Sequence, residues 1–489
     1  MTTHSSTSGE APKLTLGLKS AYGFGSAAYG IKNNGFDYFL LLFYSQVIGL
    51  DARLVGIAIT TALVFDAISD PIVGYWSDNL RSRWGRRHPF MYAAVIPVTA
   101  SYFLLWNPPA GLSETGLFWY LLVLAVTIRT FITMYETPSS ALAPELTDHY
   151  DERSSLISFR YYFGWTGGNA MSVLMFFFLF PLMTTATIED GRFNPESYEI
   201  MGIIASGLIF LSIMVSALGT HSRIPYLKQP PVQRRITLGT IFKEIFETLS
   251  NKSFIALFLA SLMGAVATGL AAALAFYFYT YFWEFSSEET GVLIMGAFIS
   301  AMIAFALAPW VTRHLGKKRG AMIVGIVAFV GAPLPILLRL LGWLPGNESS
   351  AIFWIVLFTN IIDLGLIICF QILTNSMMAD LVEQSELETG RRSEGVFFSA
   401  ATFIRKSVQG LGILVASMVL YLAAFPTGAG VDTVPQDSVW RLGAYYVPTI
   451  LVLWMTMMVV LSRYELDREG HEENLRQLAE RRLAGNNPG

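Results

Sequence analysis

Apolar runs of about twenty residues recur from one end of this chain to the other, each long enough to cross roughly 30 Å of hydrocarbon as a helix. A single soluble core cannot absorb so many. Only 14% of the 489 residues are charged, against about a quarter in an ordinary soluble protein, so much of the surface must face something other than water. The expected fold is therefore an all-α membrane protein. Twelve transmembrane helices are predicted, at about 20–49, 52–78, 89–108, 115–146, 156–183, 198–222, 253–284, 288–314, 320–345, 350–384, 395–424 and 439–464. Several exceed what a perpendicular crossing needs, which implies tilt or extension beyond the bilayer.

The loops set the expected sidedness. Arg81, Arg83, Arg86 and Arg87 follow span two; Arg223, Lys228, Arg234, Arg235 and Lys243 follow span six; Arg313, Lys317, Lys318 and Arg319 follow span eight. The alternate loops "NPPAGLSETG", "EFSSEET", "LPGNESS" and "PTGAGVDTVPQDS" hold no cation. Both termini are thus expected on the cytoplasmic side. Residues 1–19 are polar, without the apolar core of a signal peptide, and are expected to be a tail. The net charge of −3 gives no basis for nucleic-acid binding, and the one cysteine, Cys369, excludes an intramolecular disulfide.

The chain also repeats. "GRRHPF" after span two has a counterpart in "GKKRGAM" after span eight, with Gly85 and Gly316 231 positions apart. "APELTDHYDERSSLISFR" after span four resembles "MADLVEQSELETGRRSEGVFF" after span ten, with Glu145 and Asp380 235 apart. Two six-helix bundles, 20–222 and 253–464, are expected in the same orientation, joined by a cytoplasmic linker at 223–252 and followed by a tail at 465–489. That is the plan of a rocking transporter built from parallel repeats.

Charges inside the spans mark function, because a carboxylate at a helix centre costs about 2.5–3.5 kcal/mol to insert. Asp66 and Asp70 lie four residues apart in span two, on one helix face, with Ser69 beside them. Two carboxylates so close cannot both stay ionised without a cation or base between them. Oxygen-rich surroundings suit a hard cation or a shared proton. Span four places Arg129, Thr133 and Glu136 along one stripe. Asn34 and Asp37 in span one, Arg160 and Trp165 in span five, Gln371 in span ten, and Thr402 and Lys406 in span eleven are further candidates, for the substrate. Lys406 carries a charge able to neutralise the Asp66/Asp70 site from the other half. Glu145 and Arg153 after span four, with Asp380, Glu383 and Arg392 after span ten, are candidate cytoplasmic gate residues.

"DAISDPIVGYWSDNLRSRWGRRHPF" and "MADLVEQSELETGRRSEGVFFSAATFIRK" are similar to the paired signatures of the glycoside–pentoside–hexuronide:cation symporters, the melibiose-permease-like branch of the major facilitator superfamily. The resemblance runs to about residue 465 and implies the major facilitator fold. It also implies a cation site of Asp66, Ser69, Asp70, Thr133 and Glu136, a helix-eleven lysine at Lys406, a sugar-contacting arginine at or beside Arg160, and a cytoplasmic network at Asp380, Glu383 and Arg392. The family's sugar-gripping aspartate of helix one is replaced by Gly30, its stacking tryptophans by Ser140 and Gln371, its cation-site asparagine by Ser69, and its helix-four aspartate by Glu136.

The sequence thus predicts a secondary active symporter in the inner membrane of a bacterium, coupling Na⁺ or H⁺ entry to uptake of a sugar, glycoside or sugar acid. It is expected to work as a single chain among membrane lipids, with no cofactor and no metal beyond the coupling cation. The alternatives are a cation-coupled transporter of lysophospholipids or other amphiphiles, and a non-transporting membrane sensor. An enzyme is not expected: there is no histidine pair, no G-x-S-x-G and no P-loop.

Overall fold

The computed structural model describes residues 14–147, 150–227, 252–389, 408, 410–464 and 476. Among these the chain runs through twelve helical segments. The first, α1 (residues 16–47), turns at Gly25 and contains two π-helical stretches, Gly35–Phe39 and Phe43–Val47. Next come α2 (Ala52–Asn79), α3 (His88–Leu105), α4 (Glu114–Leu146), α5 (residues 150–182, with a π turn at Met175–Leu179) and α6 (Pro195–His221). The second half holds α7 (residues 252–282, ending in the π turn Phe278–Phe282), α8 (Ser287–Leu315), α9 (Lys317–Leu340), α10 (Ser350–Thr389), α11 (Gly410–Leu422) and α12 (Gln436–Leu461). Ten of these are long and apolar enough to cross a membrane, and α11 is a shorter apolar helix. The linker residues 228–251 lie outside the described residues.

Polar caps close the helices where the apolar runs stop. Asp51 accepts the Arg53 N–H at the start of α2, Ser113 accepts the Gly116 N–H before α4, and Asn194 caps α6 ahead of Pro195. Ser286 and Glu289 form a reciprocal capping box on α8. These side chains satisfy N–H groups that a helix start leaves without partners. Pro333 breaks α9 into Lys317–Gly331 and Leu334–Leu340, since proline has no N–H to continue the ladder.

Within the first six helices α2 packs along α4, α3 along α4 and α6, and α1 along α5 and α6; within the last six α8 and α9 pack on α10, and α7 on α12. The two bundles meet along α1 with α7 and α5 with α8. They also meet where α2 approaches α11, the Thr60 hydroxyl donating to the Gly410 carbonyl at 2.8 Å. The internal repeat is visible in the backbone. The π turn Phe43–Val47 ends α1 and its counterpart Phe278–Phe282, 235 positions on, ends α7. Gly85 and Gly316, at the turns after α2 and α8, have φ of 72° and 75°, where only glycine is unstrained.

At the loop end that is poor in Lys and Arg the bundles are closed against each other. The Ser45 hydroxyl bonds that of Tyr277, and the Gly428 N–H donates to the Ser45 carbonyl at 3.0 Å. Tyr281 donates to the Ala429 carbonyl at 2.9 Å, and Arg192 donates to the Thr280 hydroxyl at 3.0 Å.

Candidate functional site

The contact between α2 and α4 brings together residues that the sequence separates by more than sixty positions. Asp66 and Asp70 share a face of α2; Arg129 and Thr133, also four apart, share a face of α4. The Thr133 hydroxyl lies 2.7 Å from Asp66 Oδ1 and 2.9 Å from Asp70 Oδ1. Arg129 Nη1 donates to Asp66 Oδ2 at 3.3 Å, and the guanidinium lies over the Phe36 ring of α1, 4.8 Å from its centroid. Asp66, Arg129 and Thr133 are buried, at 2%, 4% and 0% exposure, while Asp70 is half-buried. Ser69 spends its hydrogen on the Asp66 carbonyl at 3.0 Å, so only its lone pairs are available to a cation. Thus three helices converge on a buried carboxylate with a hydroxyl, a guanidinium and a second carboxylate around it.

One turn further along α4 the chain breaks its own ladder at Pro138, and the Ser139 and Ser140 hydroxyls donate back to the Glu136 carbonyl at 3.1 and 2.7 Å. Their oxygens then accept from Arg160 of α5: Nη1 reaches Ser139 at 3.0 Å and Nη2 reaches Ser140 at 2.7 Å. The guanidinium also lies over the rings of Tyr22 and Tyr29 of α1, 5.4 and 5.7 Å from their centroids. Tyr22 in turn donates to the Ser139 carbonyl at 2.8 Å. Glu136, half-buried, acts electrostatically on both Arg160 and Tyr29. This second cluster is a fork of donors on a nearly buried cation, flanked by aromatic faces, of a kind that meets hydroxyl or carboxylate oxygens.

The remaining candidates are placed as follows. Asn34 Oδ1 accepts from the Ser172 hydroxyl at 2.8 Å, joining α1 to α5. Asp37 lies half-buried in the first π turn of α1, with an electrostatic effect on Tyr38. Trp165 meets Phe298 of α8 edge-on at 4.6 Å, so it stands at the seam between the bundles. Gln371 is exposed on α10. Glu145, at the end of α4, holds the turn after α2: Arg86 and Arg87 reach its Oε1 at 2.6 and 3.0 Å, and Arg87 also reaches Asp78 at 2.5 Å. Arg153, Asp380 and Glu383 fall in helices, but their side chains are outside the described set; Arg392, Thr402 and Lys406 lie outside the described residues altogether.

Sequence reasoning missed Lys32, which is buried in α1 at 3% exposure, and the Tyr22, Tyr29 and Ser139 surroundings of Arg160. Lys32 had a signal, a lysine well inside span one. The tyrosines had none, being indistinguishable from other aromatics of a membrane helix. In the second half Asn360 of α10 donates to the Tyr279 hydroxyl of α7 at 3.1 Å, and Asp363 turns its carboxylate toward Gly331 of α9.

A sequence model of the family described as MFS/sugar transport protein matches residues 21–468. The putative glycoside/cation symporter YagG of Escherichia coli is 25% identical over 96% of this chain and 96% of its own. The sodium-dependent lysophosphatidylcholine symporter 1-A of Danio rerio is 24% identical over 95% of this chain and 88% of its own. Among solved structures, the D-xylose-proton symporter superposes with a TM-score of 0.59 at 15% identity, covering 90% of this chain and 97% of that one. That likeness shows a shared fold, which the described residues present as twelve helical segments.

Proposed function

The chain belongs to the MFS/sugar transport protein family, and on that premise we propose that it is a secondary active symporter coupling Na⁺ or H⁺ entry to uptake of a sugar, glycoside or sugar acid by alternating access. The observation that carries this is the Thr133 hydroxyl set between Asp66 and Asp70 at 2.7 and 2.9 Å, an oxygen cluster near the middle of α2. The substrate is assigned to the Arg160 cluster, which shares α4 with the cation site, so that ordering α4 by the ion also orders Ser139 and Ser140. Coupling is then a shared free energy, typically about 1–3 kcal/mol and reciprocal between the two sites.

With the Lys/Arg-rich loops assigned to the cytoplasm, both termini are cytoplasmic in a bacterial inner membrane, the chain acts singly among lipids, and the closed seam is the outer gate. Uptake of labelled pentosides, hexosides and hexuronates into proteoliposomes under imposed Na⁺ or H⁺ gradients tests the proposal. Gradient-driven uptake of one of these classes is expected, abolished by Asp66→Asn and by Asp70→Asn; uptake unchanged in both variants sinks it. A second reading, an amphiphile as substrate, draws support from the lysophosphatidylcholine symporter among the relatives. Gradient-driven uptake of lysophosphatidylcholine with every sugar inert favours that reading.

A further inference from the structure

We propose that Asp363 of α10 is a carboxylic acid held neutral inside the membrane, open to lipid beside α9, and that it is a point of covalent attachment for lipid-soluble carbodiimides. It stands in the second bundle, apart from the Asp66/Asp70 pair, and depends on neither the ion nor the substrate assigned above.

Its place comes first. Asp363 falls at the midpoint of the apolar stretch Ser350–Met377, the depth at which an ionised side chain is costliest. The carboxyl group is turned onto α9: a Cβ on Gly331 would stand 2.5 Å from Oδ1 and 3.4 Å from Oδ2. Only a residue without a side chain leaves both oxygens that room. α9 packs on α8, α10 and α12, all helices of its own half, so its outer face meets lipid. Val330, beside Gly331, and Ile362, beside Asp363, are 43% and 53% exposed, and Asp363 itself is half-buried. The groove between α9 and α10 thus opens on the bilayer at the level of the acid.

No counter-charge reaches it. Among the described residues the Asp363 carboxyl makes no hydrogen bond or ion pair, and no neighbouring charge acts on it. The packed helices carry their charges at their ends. α8 has none between Glu289 and Arg313, α9 none between Arg319 and Arg339, and α12 none between Arg441 and Leu461. α7 has none between Lys252 and Phe282, and α11 none in Gly410–Leu422; Arg405 and Lys406 lie outside the described residues. The other titratable groups on these elements, Cys369 on α10, Tyr277, Tyr279 and Tyr281 on α7, Tyr421 on α11, and Tyr445 and Tyr446 on α12, are uncharged at neutral pH. A carboxylate withdrawn from water without a partner of opposite charge neutralises itself by keeping its proton.

A neutral acid in lipid has a reactivity that an ionised one in water lacks. In the first step its O–H bond breaks, the proton goes to one carbodiimide nitrogen, and the freed oxygen bonds to the central carbon. The O-acylisourea so formed then passes its acyl group to the nitrogen that took no proton. The C–O bond breaks, a C–N bond forms, and a stable N-acylurea remains, with no leaving group and no oxidant. Water, which would hydrolyse the intermediate, is scarce at this depth.

The test uses the purified full-length protein in phosphatidylcholine vesicles. It is treated with dicyclohexylcarbodiimide, or with a water-soluble carbodiimide bearing a charged amine, across a pH series. Adducts are located by peptide fragmentation in a mass spectrometer. An N-acylurea on Asp363 is expected from the lipid-soluble reagent, several-fold less from the water-soluble one, and less of it as the pH is raised. Asp363→Asn, which has the shape of a neutral acid, should lose this adduct and keep a melting midpoint within a few degrees of the wild type.

Absence of an adduct on Asp363 overturns the proposal. So does equal labelling by both reagents, which puts the residue in contact with water, and so does labelling that holds or rises as the medium turns alkaline. A folded Asp363→Asn that melts many degrees lower reveals a required negative charge and overturns the neutral acid. The adduct is located in the wild-type chain, so the result stands whether or not the variant folds. None of these readouts involves uptake, and a failure of the transport assignment leaves them untouched.

Discussion

A hydroxyl shared by two carboxylates is vulnerable to the loss of one atom. Thr133→Val keeps the shape and removes the oxygen; hydrogen bonds to charged groups contribute about 1.5–3 kcal/mol, so the half-saturating concentration of the driving ion should rise roughly 10- to 100-fold. Thr133→Ser, which keeps the oxygen, should stay within a few-fold in the same uptake titration. Arg160→Lys replaces a planar fork that reaches two serines by a single point donor. Its KM for substrate is expected to rise about tenfold, the loss of one charge-assisted hydrogen bond, with the ion titration unmoved. Helix spacing alone aligned Asp66 with Asp70 on α2 and Arg129 with Thr133 on α4; that the two faces meet was implied only by the family resemblance, because spacing within a helix says nothing about its neighbour. The Arg160 cluster was less legible in the sequence. Its bonds join Tyr22 to residues 117 and 138 positions away, and no local pattern encodes a crossing between helices. Glu136 shows where stripe reasoning blurs: seven residues from Arg129 the stripe has drifted by about 20°, and the carboxylate comes within reach of Arg160 instead of Arg129 alone.

The helices themselves were legible to within a few residues wherever an apolar run is bounded by a cap or a turn. The ends that run past the bilayer were not: α1 begins at Leu16 and α5 at Tyr150, through residues too polar to read as membrane spans. The π turns left no mark either, since one extra residue per turn changes the register without changing composition. Two glycines separate the kinds of constraint an element carries. A Cβ on Gly30 would stand 1.9 Å from the Gly164 carbonyl, so α1 and α5 touch there backbone to backbone. This is a physical reason for the absence of a side chain at the position where the family resemblance expects an aspartate. Gly30→Ala should push the helices apart and cost at least about 1–3 kcal/mol, seen as lost yield of folded protein. Gly316→Ala meets open space, and its φ of 75° with ψ of 167° is the whole problem. It should cost about 1–3 kcal/mol of backbone strain and lower the melting temperature without touching uptake.

For the molecule as a whole, the repeat sets the architecture and the seam sets the state. The sequence showed the repeat through its loops; which end of the two bundles is shut was not readable, because it depends on contacts between helices from opposite halves. Where α2 meets α11, a Cβ on Gly56 would lie 2.4 Å from the Ser417 hydroxyl. Gly56→Val should therefore wedge the bundles apart at the shut end. In a Cys369→Ala background, which removes the one native thiol, a cysteine at the buried Ala429 should resist a membrane-impermeant maleimide in the parent. With Gly56→Val it should react several-fold faster.

Most fasteners of the shut end are neutral hydroxyls, an amide and backbone groups: Ser45 to Tyr277, Gln46 and Ala429 to Tyr281, Gly428 to Ser45. The charged one, Arg192 on the Thr280 hydroxyl, has its charge paired with Asp190. Neutral fasteners are indifferent to brine, and a buried guanidinium paired at close range is screened little. Dilute or concentrated medium should leave this mouth equally shut, and the throttle on the cycle falls to the acid pair deep in the bundle.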